Sequence, residues 1–405
     1  MHRIEVAGPV VAGEEPRDRR ASRAGLVPAV LVGATAVKLL LAAVLGSTVD
    51  VLQIRSAGEA LLAGRDLLDP ASTEGNPTYL LLGHSLVAAA SLAVANALGT
   101  SFDLIVKVPA ILADLGIAWL LRTLRRGGDR AALLYMLNPL TVLLSAYHGQ
   151  LHTVAVLGTV ATLWLTERQR PIEAAIVLAL AVSVRQHVAV LLVALLARVR
   201  ERRRAIVVAF GLALVVVNAP LLVNPHIDRV LAPASNYGLW GYAMVVQHGP
   251  RLVRRLGIAD VEWVVRPLNR ALEHYGAGLP WLWAAVFVAW VARRRPDDLW
   301  RSTLLFLLGI YAVGTGFGVQ RLVWALPFWL VVDRRGALAY SGLAGAYLAA
   351  TYWQWTLNAK YGVGSLMASL HLVRPGDLAG IAGVGALGLL TWAYSTRMAW
   401  RLARS

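Results

Sequence analysis

The sequence predicts an all-α polytopic membrane protein, and three observations carry that prediction. Of its 405 residues 58% are hydrophobic and only 15% are charged, where soluble domains carry about 25% charged residues. Apolar runs long enough to cross a hydrocarbon core of about 30 Å recur from Ala24 onward. The basic residues fall between those runs, in short clusters. These figures exclude a soluble enzyme and a disordered chain. A net charge of +16 would suit a nucleic-acid binder, but the 14 Trp and the apolar runs assign that charge to membrane-flanking loops. No nucleic-acid partner is therefore expected. There is no Cys, which removes disulfides, thiolate metal sites and cysteine nucleophiles. The bias toward Arg, Ala, Val and Leu fits a GC-rich bacterial genome, and so a bacterial plasma membrane.

Each element follows from the charges. Residues 1–23 are polar and Arg-rich, with no signal-peptide cleavage pattern after them, and read as a cytoplasmic tail before a first span over 24–46. Further basic clusters lie at Arg122–Arg130, Arg168–Arg170, Arg198–Arg204, Arg293–Arg301, Arg334–Arg335 and Arg397–Arg404. The positive-inside rule puts all of them on the cytoplasmic side, so the chain crosses an even number of times between neighbours. Three apolar stretches lie between residues 24 and 121, and one of them must not cross. The stretch 79–99 carries His84, Ser85, Ser91 and Asn96 and is mostly Ala, so it reads as a helix or re-entrant pair at the outer surface. The remaining runs pair as 131–147 with 151–165, 171–184 with 186–197, 205–223 with 280–292, 302–319 with 321–332, and 336–354 with 378–396. The total is about 12 crossings, within a range of about 10–14. The predicted organisation is one integral-membrane domain over 24–396, with a first outer loop at 47–102, a long outer segment at 224–279 and a cytoplasmic tail at 397–405.

This topology gathers the chemically interesting side chains on the non-cytoplasmic face. Asp50 stands directly after the first span, ahead of an amphipathic run with Leu52, Ile54, Ala57 and Leu61 on one side. It reads either as a helix N-cap or as a carboxylate fixed at the membrane surface as a general base. His148 and His152, around Gly149-Gln150-Leu151, could share a helical face and bind a metal, cap a helix pair, or bond a substrate. No acidic third ligand is near in sequence, and no metal is assigned. Arg185, Arg321, Lys107 and Lys360 lie at or near outer span ends, where cations either snorkel to the interface or grip a phosphate. Asp114 lies inside a span, where a carboxylate needs a partner; Lys107, two turns earlier, is one option. Trp240, Tyr242, Trp263, Trp281 and Trp283 read as an interfacial belt or as sugar-stacking rings.

Taken in order, these pieces resemble a known superfamily. Asp50, the Gly64-Arg65-Asp66 turn, Lys107 to Asp114, and Asn138-Pro139 ahead of His148-Gly149-Gln150 are similar to motifs of the GT-C polyprenyl-phosphate-sugar glycosyltransferases. Arg185-Gln186 resembles that superfamily's basic-Gln pair, and Gln320 to Pro327, with Trp324, its late Q-x-x-x-W-x-x-P segment. His152 stands where the superfamily commonly has Asp or Asn, and Asn76-Pro77-Thr78-Tyr79 replaces its usual Pro-Pro-Leu. The resemblance implies a GT-C-like fold with juxtamembrane helices in the first loop. It implies transfer of a hexose, mannose by style of match, from a polyprenyl-phosphate donor to a glycolipid or lipoglycan acceptor, with Asp50 as the base. Substrate-binding roles then fall to His148, Gln150, His152, Gln186, Gln320 and Trp324, and donor phosphate binding to Arg185, Arg321, Lys107 and Lys360. Displacement of a phosphate by an alcohol requires no cofactor. Two rivals remain: an O-antigen-type polymerase or ligase using the Arg-rich 224–279 segment, and a lipid or sugar transporter, which should show repeats or paired broken helices that the sequence lacks.

Overall fold

A computed structural model describes residues 17–48, 50–69, 81–231, 241–242, 245, 263, 266–268, 270–271, 278–294, 296–314, 318–360 and 375–404. Asn76 to Tyr79, Trp240 and most of the 232–277 segment lie outside them, as do Arg251, Arg254, Arg255 and the side chain of Lys360. The described residues form helices and no strand.

Three helices are long and apolar enough to cross a membrane: Gly25–Val44 within α1 (Arg17–Val44), Phe102–Arg122, and Arg203–Leu222. The second of these comprises the short α4 (Phe102–Ile105) and α5 (Lys107–Arg122). The stretch expected as one span at 131–147 is instead two helical pieces, α6 (Gly128–Met136) and α7 (Pro139–His148), bent by 47°. The break follows from Asn138-Pro139. Proline disfavours helix for the residue before it, and the Asn138 side chain caps the new start by accepting from Leu140 N. Shorter apolar helices fill the rest, among them α8 (His152–Glu167), α9 (Pro171–Val184) and α10 (Leu191–Arg198), and the helix Arg334–Lys360 is continuous. One hydrophobic core runs through nearly all of these helices.

The basic clusters meet at one end of the bundle. Arg126 pairs with Asp298 at 2.5 Å, Arg198 approaches Asp297 at 3.8 Å, and Trp300 donates to Glu167 at 2.8 Å. Arg301 reaches the Leu402 carbonyl at 3.0 Å, and Arg334 the Gly127 carbonyl at 3.5 Å. At the opposite end lie α2 (Asp50–Leu62) and α3 (Leu82–Leu98), which pack on each other as an antiparallel pair. Gly58 of α2 lets the two backbones meet, since a Cβ there would stand 3.0 Å from the Ala88 carbonyl. The buried face of α2 is Val51, Ile54, Ala57, Gly58 and Ala60, while Leu52 is exposed. The expected stripe is thus turned slightly, because a close helix contact selects small residues over large ones.

Within the run 79–99 the described residues form one helix, Leu82–Leu98, and not a re-entrant pair. It lies across span ends. At its start Leu82 N donates to Asn218 Oδ1 (2.9 Å), Asn218 Nδ2 donates to Ser183 Oγ (2.9 Å), and Gly83 sits against the Ser183 backbone. Those partners mark the C-terminal ends of α9 and of Arg203–Leu222. The far end of α3 leads through α4 into the N-terminus of α5. Nearby, the Gly64-Arg65-Asp66 turn docks on the start of the long outer segment: Asn224 donates to Asp66 at 2.6 Å and Arg229 to the Leu68 carbonyl.

Candidate active site

Asp50 opens α2 at 3% exposure, at the end of the bundle that α3 crosses. Its Oδ2 accepts from Gln150 Nε2 at 2.7 Å and meets His148 Nε2 at 2.9 Å. A carboxylate only accepts, so His148 carries its proton on Nε2. The other ring nitrogen, Nδ1, bonds the Tyr352 hydroxyl at 2.6 Å. The chain Tyr352–His148–Asp50 thus fixes the imidazole plane, and Tyr147 packs on Tyr352 with ring centroids 5.0 Å apart.

Local structure explains how one turn supplies both donors. Residues Leu143–His148 form a π-helix, in which Gly149 N returns to Leu144 O at 3.1 Å. Single π turns inside α-helices are rare and concentrate at functional sites. Gly149 then adopts φ 75, in the left-handed region, and a Cβ there would stand 3.0 Å from Val51 and 3.2 Å from Lys107. Only glycine suits both demands. This turn separates the two histidines that the i, i+4 spacing put on one helical face. His148 meets Asp50, while His152 starts α8 and meets Arg185 and Trp324 instead.

His152 belongs to a second cluster joined to the first through Gln150. Arg185, extended between α9 and the 3-10 turn Gln186–Val190, donates Nη2 to Gln150 Oε1 at 3.0 Å and Nε to His152 Nδ1 at 3.3 Å. Trp324 Nε1 also donates to His152 Nδ1, at 2.9 Å. A nitrogen that accepts twice bears no proton, so the His152 ring is neutral. His187 stacks on Trp324 at 3.6 Å between centroids, and the Arg321 guanidinium lies 5.5 Å from that same ring. Both arginines act electrostatically on His152 and His187. Gln320 is buried beside them with its Oε1 unpartnered, and Gln186 opens the 3-10 turn.

Two cations lie elsewhere. Lys107 Nζ donates to the carbonyls of Ala42, Leu45 and Gly46 at 3.2, 3.0 and 3.0 Å, capping the C-terminus of α1. A cation there meets the negative end of the helix dipole. Lys107 does not pair with Asp114. That carboxylate bonds Lys38 Nζ at 2.7 Å, Tyr135 OH at 2.9 Å and the Ser145 hydroxyl. Of the aromatic set, Trp263 and Trp281 are exposed, but Trp283 is packed on Gly309 and donates to Phe306 O at 2.9 Å. Spacing did not single out Tyr352 and His187 for this site, nor Lys38 as the partner of Asp114.

A buried carboxylate aimed by an imidazole and an amide, one amide away from a guanidinium and stacked aromatic rings, suits glycosyl transfer. The model of glycosyltransferase family 87 matches residues 110–314, half of the chain. The chain belongs to glycosyltransferase family 87. It is a membrane-embedded glycosyltransferase of GT-C-like type. The family 87 match covers His148, Gln150, His152 and Arg185, while Asp50 and Arg321 lie on either side of it. No curated protein and no solved structure matches the chain.

Proposed function

We propose that this family 87 member transfers a hexose, mannose by preference, from a polyprenyl-phosphate donor to a glycolipid or lipoglycan acceptor, with inversion. The observation that carries the reading is the hydrogen-bonded chain His148–Asp50–Gln150–Arg185, which sets a carboxylate one amide away from a guanidinium. An acceptor hydroxyl is a weak nucleophile and must lose its proton as it attacks; Asp50 takes it. The bond from the anomeric carbon to the carrier phosphate breaks as the new glycosidic bond forms, through an oxocarbenium-like transition state. The leaving phosphate needs fixed positive charge, which Arg185 and Arg321 supply in a site of low dielectric. His148 and Gln150 aim the base, and His152, Gln186, Gln320 and Trp324 line the sugar site. Lys360 joins the phosphate set, whereas Lys107 serves it only indirectly by holding the end of α1 beside Gly149. A β-linked donor then gives an α-linked product. The topology goes with this reading: about 12 crossings in a bacterial plasma membrane, N-terminus inside, the Asp50 end outside.

Membranes carrying Asp50→Asn, supplied with a synthetic polyprenyl-phosphate-mannose, test the base. Normal protein level with no transfer is expected, and wild-type turnover would sink the assignment. Supplying a diphosphate-linked glycan in parallel separates the transferase from a ligase, and movement without bond change would mark a transporter.

A further inference from the structure

Asp114 touches none of the groups around Asp50, yet one short segment links the two. The carboxylate is wholly buried in α5 and is met by three side chains: Lys38 from α1, Tyr135 from α6, and Ser145 from the π-helix. Lys38 Nζ also donates to Thr141 Oγ1 at 2.9 Å, and Thr141 in turn bonds the carbonyls of Tyr135 and Asn138 around the break. This network therefore ties both pieces of the bent helix to α1 and α5.

Ser145 lies within the π-helix and three residues before His148. A π turn holds one residue more than an α turn and is intrinsically less favourable, so it persists only where its surroundings hold it. Relaxation to α geometry would rotate the residues downstream of the turn by about 100°, the turn per α-helical residue. His148 would then leave Asp50. The Ser145 hydroxyl on Asp114 is a tie outside the helix's own backbone, placed upstream of the residue whose direction matters.

We propose that Asp114, acting through Ser145, holds the π turn in register and thereby positions His148 against Asp50. Lys38 keeps Asp114 in place. These are positioning residues, and the inference rests on the reading of His148 and Asp50 as reaction machinery.

A double-mutant cycle in the full-length protein tests it. Ser145→Ala should lower kcat on the order of 10²-fold, the scale set by a misplacement of about 1 Å, with the donor KM and thermal stability little changed. His148→Ala should lose activity comparably, and the double variant should fall no further than His148→Ala alone, within about two-fold. Ser145→Thr, which keeps the hydroxyl, should restore most of the activity. Losses that multiply, or full turnover in Ser145→Ala or in His148→Ala, would overturn the proposal. Isotopically labelled histidine gives a readout that needs no donor. The His148 Nε2 resonance, set by its bond to Asp50, should move in Ser145→Ala as it does in Asp50→Asn; an unmoved resonance also overturns the proposal. Asp50→Asn in the transfer assay reports on the base alone. Should it keep its turnover while the Ser145–His148 losses stay non-additive, the base assignment falls and the positioning stands.

Discussion

Asp114 and Asp50 are both removed from solvent, at 0% and 3% exposure, and each accepts from several side chains. Their partners differ in kind and in origin. Asp114 has an ammonium in contact, Lys38 at 2.7 Å, and its donors come from three separate elements, α1, α6 and the π-helix. Asp50 has an imidazole and an amide, both from the single turn His148-Gly149-Gln150, and the Arg185 guanidinium bonds the far end of that amide. The first arrangement fastens helices together. The second aims a carboxylate at one end of the bundle and leaves the guanidinium to another charge. A buried acid in this protein thus fastens and positions helices where a cation touches it, and on the proposed reading does chemistry where a cation stands one group away.

Substitutions at the two sites should break that contrast if it is wrong. The largest effect is expected from Asp50→Asn: a loss of transfer of about 10²–10⁴-fold, the range of general acid–base contributions, with stability nearly intact. Lys38→Met should act first on stability, with a loss of kcat following through the Asp114–Ser145 tie. Stranding a buried charge costs about 3–5 kcal/mol, while Lys38→Met with Asp114→Leu should recover most of it; chemical denaturation in detergent measures both. Next comes Arg185→Ala, for which a kcat loss of about 10²-fold is expected from removing a fixed charge beside the leaving group. Arg185→Lys should not restore it, because one ammonium nitrogen does not reproduce the planar fork whose Nε and Nη2 reach His152 and Gln150 separately. Gly149→Ala should cost about 1–2 kcal/mol from the left-handed backbone alone, and its activity should fall further than its melting temperature suggests.

The smallest effect concerns Asp66. Burial would raise its pKa, but the Leu68 N–H, the Asn224 amide and the charges of His226 and Arg229 outweigh burial and hold it below the usual carboxylate value. A depressed folded pKa means stability that is present above the unfolded value and lost as pH falls through the folded one. Asp66→Asn should therefore lower stability slightly at neutral pH and flatten the acid side of the pH–stability profile, below about pH 4. A profile identical to wild type would remove Asp66 from the contacts joining the first loop to residue 224.

Charge position made much of the architecture legible. Basic clusters separated by hundreds of residues share one end of the bundle because the same topological constraint acts on each of them. Parity also sets 79–99 apart, and Gly83 and Asn218 account for where it docks. Spacing fails where partners come from different helices. It offers Asp114 a partner in Lys107 of its own helix, but a buried ion pair is made across a packing contact, and Lys38 lies 76 residues away. The His148–His152 interval assumes unbroken α geometry, which a π turn and a left-handed glycine do not keep. Tyr352 bonds His148 across 204 residues, and no local pattern marks it.

The Lys38–Asp114 pair also bears on how the chain is made. Lys38 stands about 9 Å from the C-terminal end of α1, and Asp114 about 10 Å from the N-terminal end of α5, at the rise of an α-helix. Their depths match because the two helices run in opposite directions. During synthesis α1 emerges first and meets lipid with its ammonium unpartnered, at a cost of up to about 3 kcal/mol on insertion scales. Its settled position waits for the arrival of α5, which on the proposed topology follows translocation of the whole first loop. On that topology the first helix stays provisional until the loop that carries Asp50 is made, so the order of biogenesis favours molecules in which that loop is complete.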